Sequence, residues 1–291
     1  MFDVIVCGSL HLDIMVKAPR LPGLDETLAG TDWGQQCGGK GGNQAVMAAR
    51  MGVRTAMIGR VGNDPFGERL VDNLHHAGVD TRAVGIDPEH GSGMSVAVVD
   101  PKGEYGAIIV SGANLAIPPD EMFDVWHALE GGRVLVLQNE IPEAVNIQIA
   151  KVARRVGAKV VVNAAPARAM SEEFLDLIDV LVVNRVEAAM LTGRPVDTSQ
   201  ELRSALTWLG EGRRGVIITL GSKGLVGATA AGLSFDIPAV PVEVKSTHGA
   251  GDAFIGALVA RLVRFDPLAE AARAANAAAA MHVAGTLTEE A

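Results

Sequence analysis

The segment Thr247–Phe254, THGAGDAF, has the residue types and spacing best suited to chemistry. Gly249, Ala250 and Gly251 allow a ligand to approach the backbone closely. A helix is predicted to begin here, and its free N–H groups favour an anion. Asp252 lies in the first helical turn, where a carboxylate could take a hydroxyl proton beside a bound phosphate. That arrangement is what phosphoryl transfer to an alcohol requires. The alternative is that Asp252 only caps the helix.

A second candidate is the segment Val182–Gly193, VVNRVEAAMLTG. Asn184 ends a predicted strand and Glu187 follows three residues later, so both side chains lie on one face of the next helix. An amide and a carboxylate at the end of a strand can hold a hydrated Mg²⁺ and a phosphate. The same spacing also fits an N-cap Asn with a capping-box Glu, and the sequence leaves both interpretations open.

Two further Gly-rich turns are candidate binding sites. In Cys37–Ala45, CGGKGGNQA, glycines flank Lys40 and expose backbone N–H groups to an anion or a hydroxyl-rich ligand. The spacing from Gly34 to Lys40 fits the start of a P-loop, but Gly41 stands where that motif needs Ser or Thr. A tight turn that leads into a helix is the simpler alternative. Thr219–Gly224, TLGSKG, is another turn at a strand end.

Composition excludes several classes of protein. Of 291 residues, 48% are hydrophobic, so the chain can bury a large core and is not disordered as a whole. The net charge of −9, with scattered basic residues, argues against a nucleic-acid partner. No apolar run is long enough to span a membrane, and the first residues do not fit a signal peptide. Cys7 and Cys37 do not form a disulfide framework, so a reducing cytoplasm is expected.

The elements that position these turns alternate along the chain. The predicted strands are Phe2–Cys7, Thr55–Ile58, Arg133–Leu137, Lys159–Val162, Val180–Val183 and Gly215–Thr219. The predicted helices are Gln44–Met51, Pro65–Ala77, Pro142–Val156, Ser199–Leu209, Gly251–Leu262 and Leu268–Val283. Continuous apolar strands suit a mostly parallel sheet covered on both faces, so the pattern predicts an α/β sandwich. Ligands bind at strand ends in such sheets.

Two stretches interrupt this alternation. Residues 12–37 and 93–110 contain short strand-like pieces, and Asp100–Gly103 has the composition of a hairpin turn. We expect these pieces to form a small antiparallel sheet that serves as a lid or as a dimer contact. No linker or internal repeat is evident, so residues 1–291 are predicted to form one domain.

Taken in order, the motifs resemble those of the ribokinase-like (PfkB) carbohydrate kinases over nearly the whole chain. The matching segments are GSLHLD, GGKGGNQA, GANLAI, QNEIP, NAAPAR, NRVEAAMLTG, TLGSKG, HGAGDAF and the Ala-rich helix near the end. The resemblance implies a three-layer α/β/α sandwich with a mostly parallel central sheet and a small antiparallel β-lid.

The resemblance also implies a role for each matching residue. Asp252 corresponds to the catalytic base, and Gly249, Ala250 and Gly251 to the anion hole. The positions that match the sugar site are His11, Asp13, Gly39, Lys40, Asn43 and Glu140. The positions that match the nucleotide site are Asn184, Thr219, Gly221, Gly224 and Asn276. Glu187 corresponds to a ligand of Mg²⁺, bound through water.

Some positions depart from the family pattern. His11 replaces an Asn of the sugar site, and an imidazole is larger and can titrate near neutral pH. Asn276 replaces a His near the adenine. Ser246 replaces an Asp that helps to hold potassium, and His248 replaces a small or apolar residue. The sequence also ends at Ala291, before a segment that completes the potassium site in relatives. These differences weaken the expectation of activation by K⁺.

We therefore predict an ATP-dependent sugar kinase that transfers the γ-phosphoryl group to a primary hydroxyl of a pentose-like sugar, with O5 of D-ribose as the expected acceptor and with Mg²⁺. One alternative is a nucleoside kinase of the same fold, although the lid stretches offer only Trp33 and Tyr105 as aromatic residues and Glu140 favours a free sugar. Another is a non-catalytic sugar- or nucleotide-binding relative. The expected protein is a cytoplasmic homodimer, paired through the lid, that binds neither nucleic acid nor membrane.

Overall fold

The computed structural model describes residues 1–102, 104–212, 215–229 and 231–286. In chain order, the strands are β1 (Phe2–Cys7), β2 (His11–Lys17), β3 (Asp32–Gly38), β4 (Thr55–Gly62), β5 (Asp80–Asp87), β6 (Gly93–Val99), β7 (Tyr105–Val110), β8 (Gly132–Gln138), β9 (Lys159–Asn163), β10 (Val180–Asn184), β11 (Gly215–Thr219), β12 (Leu225–Thr229) and β13 (Ser234–Ile237). The helices are α1 (Lys40–Arg50), α2 (Pro65–His76), α3 (Met122–Ala128), α4 (Glu143–Arg155), α5 (Glu172–Leu175), α6 (Arg185–Thr192), α7 (Ser199–Gly210), α8 (Ala250–Leu262) and α9 (Leu268–Val283).

The larger sheet has the strand order β13-β12-β11-β10-β9-β8-β1-β4-β5. Every pairing from β11 across to β5 is parallel, and β12 and β13 pair antiparallel at one edge. Successive residues of a strand point to opposite faces, and β1 illustrates the result. Val4 and Val6 belong to the core beneath α1, α2, α8 and α9, while Ile5 and Cys7 belong to the core beneath α3 to α7. The predicted three-layer α/β/α sandwich is confirmed.

The smaller sheet has the order β3-β2-β6-β7. β3 pairs antiparallel with β2, and β7 pairs antiparallel with β6, as a small antiparallel sheet requires. The central pair, β2 and β6, is parallel. At the predicted hairpin turn, the Asp100 carboxylate accepts hydrogen bonds from the N–H groups of Lys102 and Glu104. Gly103 of that turn lies outside the described residues.

The predicted elements are largely present, with shifted ends. The strand Phe2–Cys7 and the helix Leu268–Val283 have the predicted limits, and the Asp64 side chain caps α2 by accepting a hydrogen bond from the backbone N–H of Gly67. Helix α1 begins at Lys40 rather than at Gln44. Its first turn contains Gly41 because a Cβ there would lie 2.6 Å from the carbonyl carbon of Gly8. Close packing therefore overrides the poor helix propensity of glycine.

The place where a ligand should bind follows from the strand order. β1 and β8 are neighbours, but the first helix after β1, α1, covers one face of the sheet, while α4, the first helix after β8, covers the other. The connections diverge at the carboxyl ends of these two strands and leave a crevice. Within the described ranges, no helix is both long and apolar enough to cross a membrane.

Candidate active site

One end of the crevice is organised around Glu140, which follows β8. One oxygen of its carboxylate, Oε2, accepts hydrogen bonds from the hydroxyl of Ser9 and, at 2.9 Å, from the backbone N–H of Lys40. The loops after β1 and β8 and the first turn of α1 thus meet at one carboxylate. Gly39, which precedes α1, has φ 83°, and a Cβ there would lie 2.8 Å from the N of His11. Only glycine fits this position.

His11, at the start of β2, lies beside the same carboxylate. Its Nδ1 is 4.0 Å from Glu140 Oε2, and its Nε2 is buried without a hydrogen-bond partner among the described residues. Burial lowers the pKa of His11, and the nearby carboxylates of Glu140 and Asp13 only partly oppose this effect. The ring is therefore neutral at neutral pH, and Nε2 is a polar atom available to a ligand.

Asp13 approaches from the smaller sheet. Its Oδ1 accepts a hydrogen bond from the hydroxyl of Ser95 on the neighbouring strand β6. A Cβ on Gly38, which lies across from His11 in β3, would be 2.1 Å from Asp13 Oδ2. The lack of a side chain at Gly38 therefore leaves room for the Asp13 carboxylate.

Asp252 lies in the first turn of α8. This helix begins directly after Gly249, which has the left-handed conformation (φ 74°). Its Oδ2 accepts a hydrogen bond from Asn43 Nδ2 at 3.2 Å, and its Oδ1 accepts one from Gln44 Nε2 at 2.9 Å. The carboxylate is thus fixed by two side chains of α1. The prediction that Asp252 is only a helix cap does not account for these contacts.

The charge state of Asp252 reflects opposing influences. Burial raises its pKa, and the negative charge of Glu140 adds to this rise, whereas Lys40 and the amides of Gln44 and Asn43 lower it. A carboxylate with a raised pKa has a stronger affinity for a proton than an exposed one. Asp252 is therefore suited to act as a general base.

A cleft of about 180 Å³ joins Asp252 to the ends of β9, β10 and β11. Its lining combines the backbone turn before α8, one cation, two carboxylates and two amides. The lining residues are Lys40, Asn163, Ala165, Val182, Val183, Asn184, Glu187, Thr219, Thr247, Gly249, Ala250, Gly251, Asp252 and Phe254. The structure thus brings together predicted residues from the start of α1, the end of β10, the end of β11 and the start of α8.

Asn184 and Glu187 form a complete capping box at the start of α6. Asn184 Oδ1 accepts from the backbone N–H of Glu187 at 2.9 Å, and Glu187 Oε2 accepts from the backbone N–H of Asn184 at 2.7 Å. The interpretation as a helix cap is therefore correct for this state of the protein. Both residues also line the cleft, so capping and ligand binding are compatible. Burial raises the pKa of Glu187, against the opposing effects of the Asn184 N–H and of Lys40.

The remaining predicted nucleotide residues lie farther along the same edge of the sheet. Thr219 lines the cleft, whereas Gly221 and Gly224 form the turn after β11 and do not line it. Gly224 has φ 89°, and a Cβ there would lie 2.1 Å from the carbonyl oxygen of Ile237. Asn276, on α9, donates a hydrogen bond to the carbonyl oxygen of Pro238 at 2.9 Å. In this structure its amide holds the loop after β13.

Several residues of the site are not among the predicted site residues. Gln44 lies inside the GGNQA segment, but only the packing of α1 against α8 shows that its amide contacts Asp252. Ser9 and Ser95 support the two carboxylates of the other end of the crevice. His282 was not predicted to contribute to the site, yet its Nε2 lies 2.9 Å from the carbonyl oxygen of His248, at the turn before α8.

The side chains of the cleft fit a hydrated magnesium ion that comes with its phosphates, but not an ion held entirely by the protein. In the described part of the chain, no group of three or more His, Cys, Asp or Glu side chains is placed to hold a metal. Glu187 is one hard oxygen donor on the cleft wall, and the other carboxylate there, Asp252, is held by Asn43 and Gln44. Because Mg²⁺ keeps several waters and binds through one or two carboxylates plus substrate phosphates, Glu187 fits a hydrated ion that phosphates bring with them.

Comparisons with known proteins match nearly the whole chain. A family model described as pfkB family carbohydrate kinase matches residues 1–290. A ribokinase of Mus musculus is 33% identical over 98% of this chain and 90% of its own length. A deoxyribokinase of Salmonella typhimurium is 32% identical over 99% of this chain and 94% of its own. The structure of Arabidopsis thaliana ribokinase complexed with ribose and ATP matches with a TM-score of 0.91 and 31% identity, covering 97% of this chain and 92% of that one.

Proposed function

The chain belongs to the pfkB family of carbohydrate kinases, and we propose that it transfers the γ-phosphoryl group of ATP to the primary hydroxyl of a pentose, with D-ribose phosphorylated at O5. The kinase class follows from the family. Support for ribose comes from the relatives that carry the name ribokinase and from the structure of one of them with ribose and ATP.

The sugar is proposed to bind at the end of the crevice around Glu140. Asp13 and Glu140 are carboxylates, which accept hydrogen bonds from vicinal hydroxyl groups. The free Nε2 of His11 supports a further hydrogen bond to the sugar. The proposed sugar-binding residues are His11, Asp13, Gly39, Lys40, Asn43 and Glu140.

Phosphoryl transfer is proposed to take place between Asp252 and the turn before α8. Asp252 takes the proton from the acceptor hydroxyl, which then attacks the γ-phosphorus. The backbone N–H groups of Gly249, Ala250 and Gly251 stabilise the charge on the transferred group. The observation that carries this proposal is that a buried carboxylate and a helix N-terminus line one cleft together with Lys40.

The nucleotide is proposed to lie along the ends of β10 and β11. Asn184 and Thr219 would face the phosphates of ATP. Gly221 and Gly224 would face the ribose of the nucleotide, and Asn276 would face its adenine. Glu187 would hold a hydrated Mg²⁺, which supplies positive charge to the phosphates when it is bound. This chain's own part is to position those phosphates against Lys40 and the start of α8.

The smaller sheet is proposed to act as the lid of a single kinase domain and to carry a homodimer contact. Support for the contact comes from one apolar face, on which Ile14 pairs with Val96 and Val96 with Ile108, while Val16 pairs with Trp33. Trp33 is 66% exposed and Ile108 is 73% exposed. Contiguous apolar surface of this kind marks an interaction site.

The cellular setting is proposed to be the cytoplasm. A supply of ATP and the two free thiols, Cys7 and Cys37, support this location. The net charge of −9 supports the absence of a nucleic-acid partner, and we propose no membrane partner.

The test is ADP release with Mg-ATP on a panel of D-ribose, 2-deoxy-D-ribose, other pentoses and nucleosides, each with and without K⁺. We expect ribose to give the highest kcat/KM. A preference for 2-deoxyribose would move the function toward that of the deoxyribokinase relative. A preference for a nucleoside would overturn the sugar assignment, and no turnover with any acceptor would favour a binding protein.

A further inference from the structure

The Asp252 carboxylate is the end of a chain of buried side-chain amides. Gln44 and Gln138 are 1% and 0% exposed. Gln138 Nε2 donates a hydrogen bond to Gln44 Oε1 at 2.8 Å, and Gln44 Nε2 donates one to Asp252 Oδ1 at 2.9 Å. The order of donors is fixed, because an ionised carboxylate can only accept and thus turns the NH₂ group of Gln44 toward itself.

Close packing of two helices creates the first link. A Cβ on Gly256 of α8 would lie 2.5 Å from the Cβ of Met47 and 2.8 Å from the N of Ala48 on α1. One turn earlier on each helix, Asp252 and Gln44 come within hydrogen-bonding distance. The contact at Gly256 therefore sets the separation between the base and its amide partner.

The second link joins α1 to the centre of the large sheet. Gln138 is the last residue of β8 and directly precedes the loop that carries Glu140. Its Oε1 is buried without a partner in the described ranges, and a Cβ on Gly8 would lie 1.9 Å from that atom. Gln138 is therefore held in place between the end of β1 and the side chain of Gln44.

We propose that Gln44 and Gln138 are positioning residues for phosphoryl transfer, which hold Asp252 Oδ1, while Oδ2, which accepts one hydrogen bond from Asn43 and has a second lone pair, takes the substrate proton. The inference rests on the proposed function. In the step it supports, the acceptor O–H proton moves to Oδ2 and a bond forms between the acceptor oxygen and the γ-phosphorus. The bond from that phosphorus to the bridging oxygen breaks, and its electron pair leaves with ADP.

The amide chain also affects the protonation of the base. A hydrogen bond to the charged form of a carboxylate favours that form, so loss of the Gln44 amide raises the pKa of Asp252 further above its usual range. The other charged groups that face this carboxylate are Lys40, from the start of α1, Glu140, from the loop after β8, and Glu187, across the cleft. All three remain in the variants below.

The experiment compares Gln44→Leu and Gln138→Leu with the wild type across pH 5.5 to 9, using the best sugar of the panel. We expect kcat of Gln44→Leu to fall by about tenfold at pH 6. The loss should be smaller at pH 9, because the acid limb of the profile moves to higher pH. KM for the sugar and for ATP should change little. Gln138→Leu should show a smaller change in the same direction.

The double variant provides the sharper test. Because Gln138 acts through Gln44, the variant with both changes should match Gln44→Leu alone. Thr55→Val is the matched control, since it removes a buried hydrogen bond, from the Thr55 hydroxyl to the carbonyl oxygen of Val53 at 3.0 Å, away from the site. Its pH profile should match that of the wild type.

Three results would overturn the inference: an unshifted acid limb in Gln44→Leu, a loss expressed only in KM, or additive losses in the double variant. If Gln44→Leu does not fold, Gln138→Leu still tests the shift. An active wild type with unaffected variants would refute only the amide chain. A wild type without sugar-dependent ADP release would instead refute the proposed function.

Discussion

Glu140 Oε2 lies 2.9 Å from the backbone nitrogen of Lys40 and accepts its hydrogen bond. This contact ties the loop after β8 to the N-terminus of α1, the helix that also carries Asn43 and Gln44. Glu140, which is proposed to bind the sugar, is thus fixed relative to Asn43 and Gln44, which hold Asp252. Sugar position and base position are therefore set by the same short segment of backbone.

The first prediction concerns the base. Asp252→Asn keeps the shape of the side chain and an oxygen that can accept from Gln44, but it removes the ability to take a proton. We expect kcat to fall by about a thousandfold while the Kd for ribose, measured by calorimetry, stays within a few-fold of the wild type. Turnover close to that of the wild type would refute the assignment of Asp252.

The second prediction tests Asp13 without changing it. In Gly38→Ala the new Cβ would lie 2.1 Å from Asp13 Oδ2, so the carboxylate must move. We expect KM for the sugar to rise by about tenfold, since a charged hydrogen bond is weakened, with KM for ATP unchanged. Gly34→Ala is the matched control, because no atom lies within 4 Å of a Cβ at that position of the same strand. Equal effects in the two variants would contradict the proposed role.

The third prediction concerns stability and pH. The backbone N–H groups of His90 and Glu89, and then the Arg60 guanidinium, hold the pKa of Asp87 well below its usual range. A group with a lowered pKa in the folded state contributes stability above its unfolded pKa of about 3.9, and this contribution is lost as pH falls. Asp87→Asn should therefore lower Tm most at pH 7 and clearly less near pH 2.5, because most of the contribution is still present at pH 4 and is lost only below it.

Asp80→Asn is a suitable control for this experiment. Asp80 forms an ion pair with Arg82, whose side chain is exposed, at 2.9 Å, and exposed pairs contribute little to stability. Its Tm difference from the wild type should be small at both pH values. A pH-independent difference for Asp87→Asn would show that Asp87 acts by packing rather than by charge.

The fourth prediction concerns the apolar face of the smaller sheet. Ile108→Lys places a charge on the apolar face proposed as the dimer contact, so we expect the protein to change from dimer to monomer by light scattering. Leu233→Lys changes an exposed leucine between β12 and β13 and should leave the dimer intact. A monomeric wild type, or a dimeric Ile108→Lys variant, would exclude this face as the interface.

The fifth prediction concerns the turn before α8. Carbonyl oxygens only accept hydrogen bonds, so the Nε2 of His282 must carry the proton that it donates to His248. His282→Leu should raise KM for ATP by several-fold, because the turn that precedes Gly249 loses a support worth one hydrogen bond. His282→Gln, whose amide can donate to the same oxygen, should retain most of the wild-type affinity for ATP. Equal losses in both variants would argue against this hydrogen bond.

Much of the fold could be predicted from the sequence because its strands are buried on both faces. Runs such as Val180–Val183 are apolar throughout, which is typical of a central parallel strand. β12 and β13 were not predicted, because they lie at the edge of the sheet, where burial alternates and the apolar signal is weak. The glycines at the start of α1 were not predicted to be helical because helix propensity depends on local sequence. It does not include the close packing of Gly41 against the backbone of Gly8.

The site was only partly predictable for a different reason. Motifs identified Asp252, Lys40 and Glu187, since each lies in a short segment with its own turn. The Gln44 and Gln138 contacts join positions that are far apart in the chain, so no local spacing encodes them. For Asn184 and Glu187, the observed capping box leaves both residues on the wall of the cleft, so capping does not exclude binding and the sequence could not separate the two interpretations.

The parallel pairing of β2 with β6 has a consequence for the order of folding. Two neighbouring parallel strands cannot be joined by a tight turn, and here α1, β4, α2 and β5 lie between them in the chain. The central pair of the smaller sheet therefore cannot form until these intervening elements have been synthesised. The contact of Gln44 with Asp252 joins α1 to α8, still farther along the chain, so a nascent chain can complete the smaller sheet before the proposed base is available.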